Sequence, residues 1–239
     1  MPRPSGSLPR FLQIAELLVR DIAAGRLTDG ERLPPEREMA AQLGVAIGTL
    51  RKALAEVEDR GLLQRVQGSG NYVRALADPR SIYAMFRLEL VEGGGLPTAR
   101  LLSLDRLPKP ANLPAFGASD HAHRIRRLRF LGGRPAAVEE IWLDAGYAET
   151  VAPEALSESL YLFYREQLGL AITRAEDRVG LGHVPEWSPP GFGRPPGEPV
   201  PHILRIAYDA DGRRAEVSQT WFDHNVARYV ARLKQEPKG

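Results

Sequence analysis

Residues 31–73, ERLPPEREMAAQLGVAIGTLRKALAEVEDRGLLQRVQGSGNYV, constrain this chain more than any other stretch. Pro35 suits a first helical position, where its missing N–H is not needed. From there Met39, Ala40 and Leu43 predict a short helix over 35–43, ended by Gly44. Val45 opens a tight turn. Leu50, Leu54 and Val57 recur at three and four residues and predict a longer helix over 48–60, terminated by Gly61. Residues 62–66 and 71–74 then read as strands around Gln67-Gly68-Ser69-Gly70. Such a tip can approach a phosphate backbone closely, because glycine has no side chain to clash. Helix, turn, helix and hairpin, in that order, describe a winged helix-turn-helix, whose second helix enters the major groove of DNA.

Upstream, Phe11, Ile14, Leu18 and Ile22 form one apolar stripe and predict a helix over 8–24, stopped by Gly25. The DNA-reading domain is therefore expected at 1–75. A connector follows at 76–90, where Asp78-Pro79 breaks regular structure, and a second domain occupies 91–239. In that domain residues 124–131 and 136–143 flank Gly132-Gly133-Arg134-Pro135, one hairpin signal. Residues 203–208 and 214–222 flank Asp209-Ala210-Asp211-Gly212, a second. Residues 153–168 read as a helix closed by Gly169. Strand pairs with intervening helices predict an α+β domain with an antiparallel sheet. Residues 185–201 are too rich in Pro and Gly for regular structure and predict a mobile loop.

A length of 239 residues suits two domains. The absence of cysteine excludes disulfides and Cys-ligated zinc and fits a reducing compartment. No apolar run reaches 18 residues, and MPRPSGSLPR lacks the apolar core of a signal peptide. The expected location is cytoplasmic, with no membrane partner. The net charge is +2, and residues 1–75 carry 11 Lys/Arg against 9 Asp/Glu. The grip on DNA must then come from where the arginines sit, not from bulk charge. His121 and His123 alternate on a strand, but no third ligand stands at a suitable spacing, so no metal is expected. Phosphate-loop and dinucleotide motifs are absent, and no cofactor is expected.

The pieces of the first domain resemble, in order, the DNA-binding domain of the GntR family of bacterial transcription regulators. They are G-x-L at 25–27, R-L-P at 32–34, P-x-R-E-M-A at 35–40, L-G-V at 43–45, G-T-L-R-K-A-L at 48–54, G-L-L at 61–63 and G-S-G-N-Y-V at 68–73. The resemblance implies DNA contacts from Arg37 and Arg51, with Lys52 beside them and Gly68, Ser69 and Gly70 at the wing tip. Both arginines are long planar donors able to grip phosphate or the O6/N7 edge of guanine. Thr49 lies where a phosphate meets the helix N-terminus. As lone residues, Arg37 and Arg51 would read as solvated surface charges. The family usually carries Ser or Thr, then Arg, before the recognition helix. Here Ala46 and Ile47 stand there, losing an N-cap hydroxyl worth ~1 kcal/mol and a DNA-reaching arginine. Pro35 likewise replaces a Ser cap. The expected consequence is a different operator or weaker DNA affinity.

The second domain resembles the UTRA effector-binding domain of the HutC-like branch of that family, which is similar in fold to chorismate lyase. R-L-R at 127–129, G-G-R-P-A-A-V-E at 132–139, S-L-Y at 159–161, Y-D-A-D-G at 208–212 and E-V-S at 216–218 carry the likeness. Arg127 and Arg129 project from one face of a strand. Two like charges so close need solvent or a bridging anion. Ser159 begins a helix, whose N–H groups favour negative groups, and Tyr161 is close behind. The resemblance places these residues in a pocket holding phosphate or carboxylate. Glu139 and Glu216 are carboxylates among apolar neighbours and need partners. Phe222 stands where relatives often carry Tyr. Internal ion pairs, Arg127–Glu139 or Arg129–Glu216, are the alternative use of these charges.

The expectation is a DNA-binding transcriptional regulator and repressor. It would act as a homodimer on a palindromic double-stranded operator, with its affinity set by a small anionic metabolite. An enzyme with a lyase-like domain and a DNA-binding head is one alternative. A DNA-binding protein without effector response is another.

Overall fold

The computed structural model describes residues 9–74 and 85–232. The chain divides into two compact units. One holds the described residues up to 89 and from 229 onward, and the other holds 90–228.

In the first unit, α1 (Arg10–Ala23), α2 (Glu36–Gln42) and α3 (Ile47–Asp59) precede a hairpin of β1 (Leu63–Val66) and β2 (Gly70–Val73). The apolar stripe of α1 meets Leu50, Ala53, Leu54 and Val57 of α3 in a core closed by Met39, Leu62, Leu63 and Val73. Gly44 and Gly61 sit at positive φ, 62° and 73°, directly after the helix ends, where a side chain would be strained. Pro35 is the N-cap of α2 and not its first residue: its extended ψ of 138° keeps it outside the helix. The connecting residues 75–84, including Asp78-Pro79, lie outside the described residues.

The second unit is built on a six-stranded antiparallel sheet in the order β4-β5-β6-β9-β8-β7. The strands are β4 (Pro97–Pro108), β5 (His121–Leu131), β6 (Arg134–Asp144), β7 (Arg174–His183), β8 (Pro199–Tyr208) and β9 (Arg214–Phe222). Short strands β3 (Leu88–Leu90) and β10 (Ala227–Tyr229) pair separately. The two hairpins expected from sequence are β5–β6 and β8–β9, each longer than its apolar centre. One sheet face carries Ile125, Ile141 and Leu143 under α4 (Leu160–Gln167). The other face packs Leu128, Val138 and Trp221 against Val184, Phe192 and Val200.

Two expectations are corrected here. Residues 153–168 are not one helix: a 3-10 turn at Pro153–Ala155 is separated from α4 by an extended step at Leu156. Residues 185–201 are not an unanchored loop. They form a 3-10 turn at Pro190–Phe192 and the start of β8. Phe192 is buried, and Arg194 bridges Glu198 and Asp223 at 2.7 and 2.6 Å. The prolines shape this segment, but one aromatic anchor and one paired arginine hold it down.

Candidate functional site

The candidate DNA face is α2, the turn after it, the start of α3 and the wing. Ala46 is the N-cap of α3, in the extended conformation of a capping residue, and no side chain caps the helix. The first N–H groups of α3 are thus left for solvent or for an anion. Arg37, Ile47, Arg51, Lys52 and Gly68 are exposed, while Thr49, Ser69 and Gly70 are half-buried. Arg51 Nε donates to Glu36 Oε2 at 2.6 Å, and Arg65 Nη2 donates to the Arg51 carbonyl at 3.0 Å. The Arg51 hydrogen bond holds the Glu36 carboxyl below its ordinary range. An exposed pair of this kind contributes little stability. Its effect is to orient the Arg51 side chain, tying α3 to the start of α2.

At the wing, Gly68 and Gly70 adopt φ of 74° and 136°. A Cβ on Gly70 would lie 3.1 Å from Arg32 Nε. Ser69 Oγ and the Tyr72 hydroxyl are 2.7 Å apart. Arg32, Pro35, Glu36, Arg65 and Asn71 line a groove between wing and α2. Sequence reasoning singled out none of Arg32, Glu36 and Arg65. Their placement depends on the bridge between Arg32 and Tyr72 and on the Glu36–Arg51 pair, both long in sequence.

In the second unit, β5 and β6 set Arg127 directly opposite Glu139. Arg127 Nη2 donates to Glu139 Oε2 at 2.7 Å, and Arg129 reaches both carboxylate oxygens at 3.3 and 3.1 Å. Both guanidiniums also donate to the Glu158 carbonyl, at 3.2 and 3.4 Å. All three charged side chains are buried. The anion that bridges the two arginines is therefore the chain's own Glu139. Burial pushes this carboxyl up, but Arg129 and Arg127 together hold it below its ordinary range. Arg127 Nε is buried without a partner.

Ser159 is the N-cap of α4, and its Oγ accepts from the Leu162 N–H at 3.4 Å. The first turn of α4 carries Tyr161, and Tyr164 follows. Their hydroxyls donate to Glu216 Oε1 and Oε2 at 3.3 and 2.7 Å. The expected alternative of an Arg129–Glu216 pair is corrected: Arg129 goes to Glu139, and Glu216 takes phenol donors. Burial raises the Glu216 carboxyl above its ordinary value, against the pull of Tyr164, Arg205 and Arg127. Burial likewise raises the Tyr161 hydroxyl. Beside Tyr161, Arg205 makes a two-pronged pair with Asp177, both contacts at 2.6 Å. Phe222 is buried opposite Ala137 at the far end of the same face. Tyr164, Arg205 and Asp177 were missed in sequence. The i, i+3 step from Tyr161 to Tyr164 was the one available signal.

The His121 and His123 side chains have other partners. His123 Nε2 lies 2.8 Å from the Ala148 carbonyl and His121 Nδ1 lies 2.6 Å from Asp120. Among the described residues no three His, Asp or Glu side chains are grouped to hold a metal. No described helix is long and apolar enough to cross a membrane.

A winged helix-turn-helix joined to an antiparallel-sheet domain with a buried charged cluster defines a class: DNA-binding regulators with a ligand-binding module. Residues 11–73 match the model of bacterial regulatory proteins of the gntR family, and residues 92–228 match the UTRA domain. The chain belongs to the gntR family of transcriptional regulators, and its UTRA domain is consistent with the HutC-like branch. It is 63% identical over 234 residues to the HTH-type transcriptional regulator SmoD of Agrobacterium fabrum, covering 98% of this chain and 100% of that one. It is 26% identical over 237 residues to the mannosyl-D-glycerate transport/metabolism system repressor MngR of Escherichia coli, covering 94% and 96%. Among solved structures, the possible regulator YydK of Bacillus subtilis matches with a TM-score of 0.53 at 22% identity, covering 95% of this chain and all of that one. That likeness concerns the fold alone. The helix-turn-helix implies DNA binding and the UTRA domain implies a small-molecule effector. Both matched families and these relatives are regulators, so the lyase-like alternative is set aside.

Proposed function

We propose that this chain is a cytoplasmic repressor. It acts as a homodimer on a palindromic operator and releases it when a small anionic metabolite binds near Arg127, Arg129 and Ser159. The observation that carries the reading is the buried cluster itself. Two guanidiniums share one carboxylate, Arg127 Nε has no partner, and the N-terminus of α4 stands beside them. That leaves a buried guanidinium N–H of Arg127 open to an oxygen of a phosphate, phosphonate or carboxylate. Glu139, Tyr161 and Glu216 would hold the hydroxyls of such a ligand, and buried Phe222 would close one end. Repressor action draws support from MngR, which is named as one.

On DNA, Arg37, Arg51 and Lys52 would meet phosphates or guanine edges. Thr49, Gly68, Ser69 and Gly70 would approach the backbone. Exposed Ile47 would offer apolar surface to a thymine methyl.

The test is to select an operator from randomised palindromic duplexes and follow its complex by fluorescence anisotropy. Sugar phosphates, alkylphosphonates and unsaturated carboxylates are then added. Release by at least one of these anions, absent in Arg127→Ala, is expected. If every anion leaves the complex intact, the chain binds DNA without effector response.

A further inference from the structure

In the groove between the wing and the start of α2, the charges do not balance. The segment before α2 runs beside β2 as a third strand. The Leu33 N–H donates to the Asn71 carbonyl and the Val73 N–H to the Glu31 carbonyl, both at 2.9 Å, and Arg32 bridges Tyr72. This pairing carries the Arg32 side chain to the wing tip. Its guanidinium lies against Gly70, where a Cβ would stand 3.1 Å from Nε and 3.6 Å from Nη2. Gly70 also holds φ at 136°, which a side chain would strain. A bare glycine is what lets this planar cation rest beside the wing backbone. The neighbouring arginines are matched: Arg51 pairs with Glu36 at 2.6 Å and Arg65 with Glu58 at 3.2 Å. Arg32 is exposed and has no ion pair among the described residues. The groove it lines with Glu36, Arg65, Ser69 and Gly70 is therefore left with one unmatched cation.

We propose that Arg32 is a phosphate-binding residue of the DNA complex, and that the groove it shares with the wing tip seats one phosphodiester of the duplex. The inference rests on the DNA face described above and adds a contact to it from outside both helices and the hairpin. A strand of DNA is the occupant because the groove is continuous with that face: Glu36 lines it and holds Arg51, and Ser69 and Gly70 belong to the wing tip. The Glu36 carboxylate does not bar a phosphate, since Arg51 pairs with it and Arg65 adds a second positive charge nearby. A glycine tip lets the wing backbone come close to the sugar–phosphate chain. A guanidinium held beside that backbone then meets phosphate oxygens, to which it makes short, charge-assisted hydrogen bonds. Contacts of this kind fix the position of a protein on the duplex and carry no sequence information. Arg32 would thus hold the wing against the backbone while the start of α3 reads bases.

The test uses the full chain, a selected operator and a random duplex, with binding followed by anisotropy over a range of salt concentrations. Arg32→Gln should weaken both duplexes by the same factor. It should also lower the slope of log K against log salt by about 0.9 for each copy of the chain on the DNA. Arg32→Lys, which keeps a point charge, should restore the slope. Arg74→Gln removes the same charge beyond the far end of β2 from the tip and should leave the slope unchanged. A second measurement does not depend on how well the variant folds. Operators are made with one phosphate at a time replaced by a neutral methylphosphonate. One replacement should weaken the native chain and leave Arg32→Gln unaffected, because the contact is already gone. An unchanged slope, a loss confined to the operator, or replacements that act equally on both proteins at every position would each overturn the proposal and spare the DNA face. A native chain that binds neither duplex would overturn both.

Discussion

At the scale of single residues, two buried glutamates on one sheet face behave in opposite ways. Glu139 is held below its ordinary range by two guanidiniums. Its contribution to stability is present above the unfolded value of about 4.3 and is lost as pH falls through the folded one. Glu216 is raised, chiefly by burial. Its contribution is fully present below about 4.3 and is lost as pH rises through its higher folded value. Glu216→Gln is therefore expected to be more stable than the native chain at neutral pH, with the gain shrinking towards pH 4. Glu139→Gln should lose about 3–5 kcal/mol at neutral pH, because it strands two buried cations. Denaturant melts of both variants between pH 4 and 8 check the signs. A Glu216→Gln gain independent of pH would refute the assignment. On the DNA face, Ile47→Arg places a long planar donor at the exposed first residue of α3. Binding to a GntR-type operator should tighten on that change, and equal affinity of the two forms would show that position 47 does not reach DNA.

Among the elements, the two helices around the turn were nearly complete in the sequence. Their apolar spacing and closing glycines are local signals, and the structure moves each start by one residue. The missing cap at Ala46 was legible for the same reason. Since Ala46 already has the extended backbone of an N-cap, Ala46→Ser should add a hydrogen bond to the start of α3. A gain of about 1 kcal/mol is expected, read as a raised denaturation midpoint at constant slope. No gain would mean that the open N–H groups of α3 are already satisfied. The segment at 153–168 was misread because its composition suits a helix throughout. The extended Leu156, packed towards the core under α4, interrupts it. In the segment at 185–201, proline content concealed Phe192, whose burial depends on residues far away in the chain.

At the scale of the whole molecule, effector and operator are linked only through the difference in effector affinity between two arrangements of the chain. Couplings of this kind are typically about 1–3 kcal/mol, or roughly 5- to 150-fold in affinity. An effective anion should therefore weaken operator binding by a factor in that range. By reciprocity, operator DNA should weaken anion binding by the same factor. Titrations of the anion with and without operator measure this coupling, and an anion that binds the chain yet leaves operator affinity unchanged would show that the two sites are not coupled.

What the sequence determined by itself was local and periodic: the winged helix-turn-helix, the two hairpins, the arginines at 127 and 129 on one strand face and the uncapped Ala46. Strand alternation and helix capping act over a few residues, so they are written in neighbouring letters. The tertiary structure decided which charge meets which. Glu139 rather than Glu216 neutralises the arginine pair, Tyr164 joins Tyr161 on Glu216, Arg205 is paired by Asp177, and Glu36 orients Arg51. Burial makes those choices consequential, since a charge removed from water must find a partner. That partner is set by sheet order and register, which no single stretch of the chain contains.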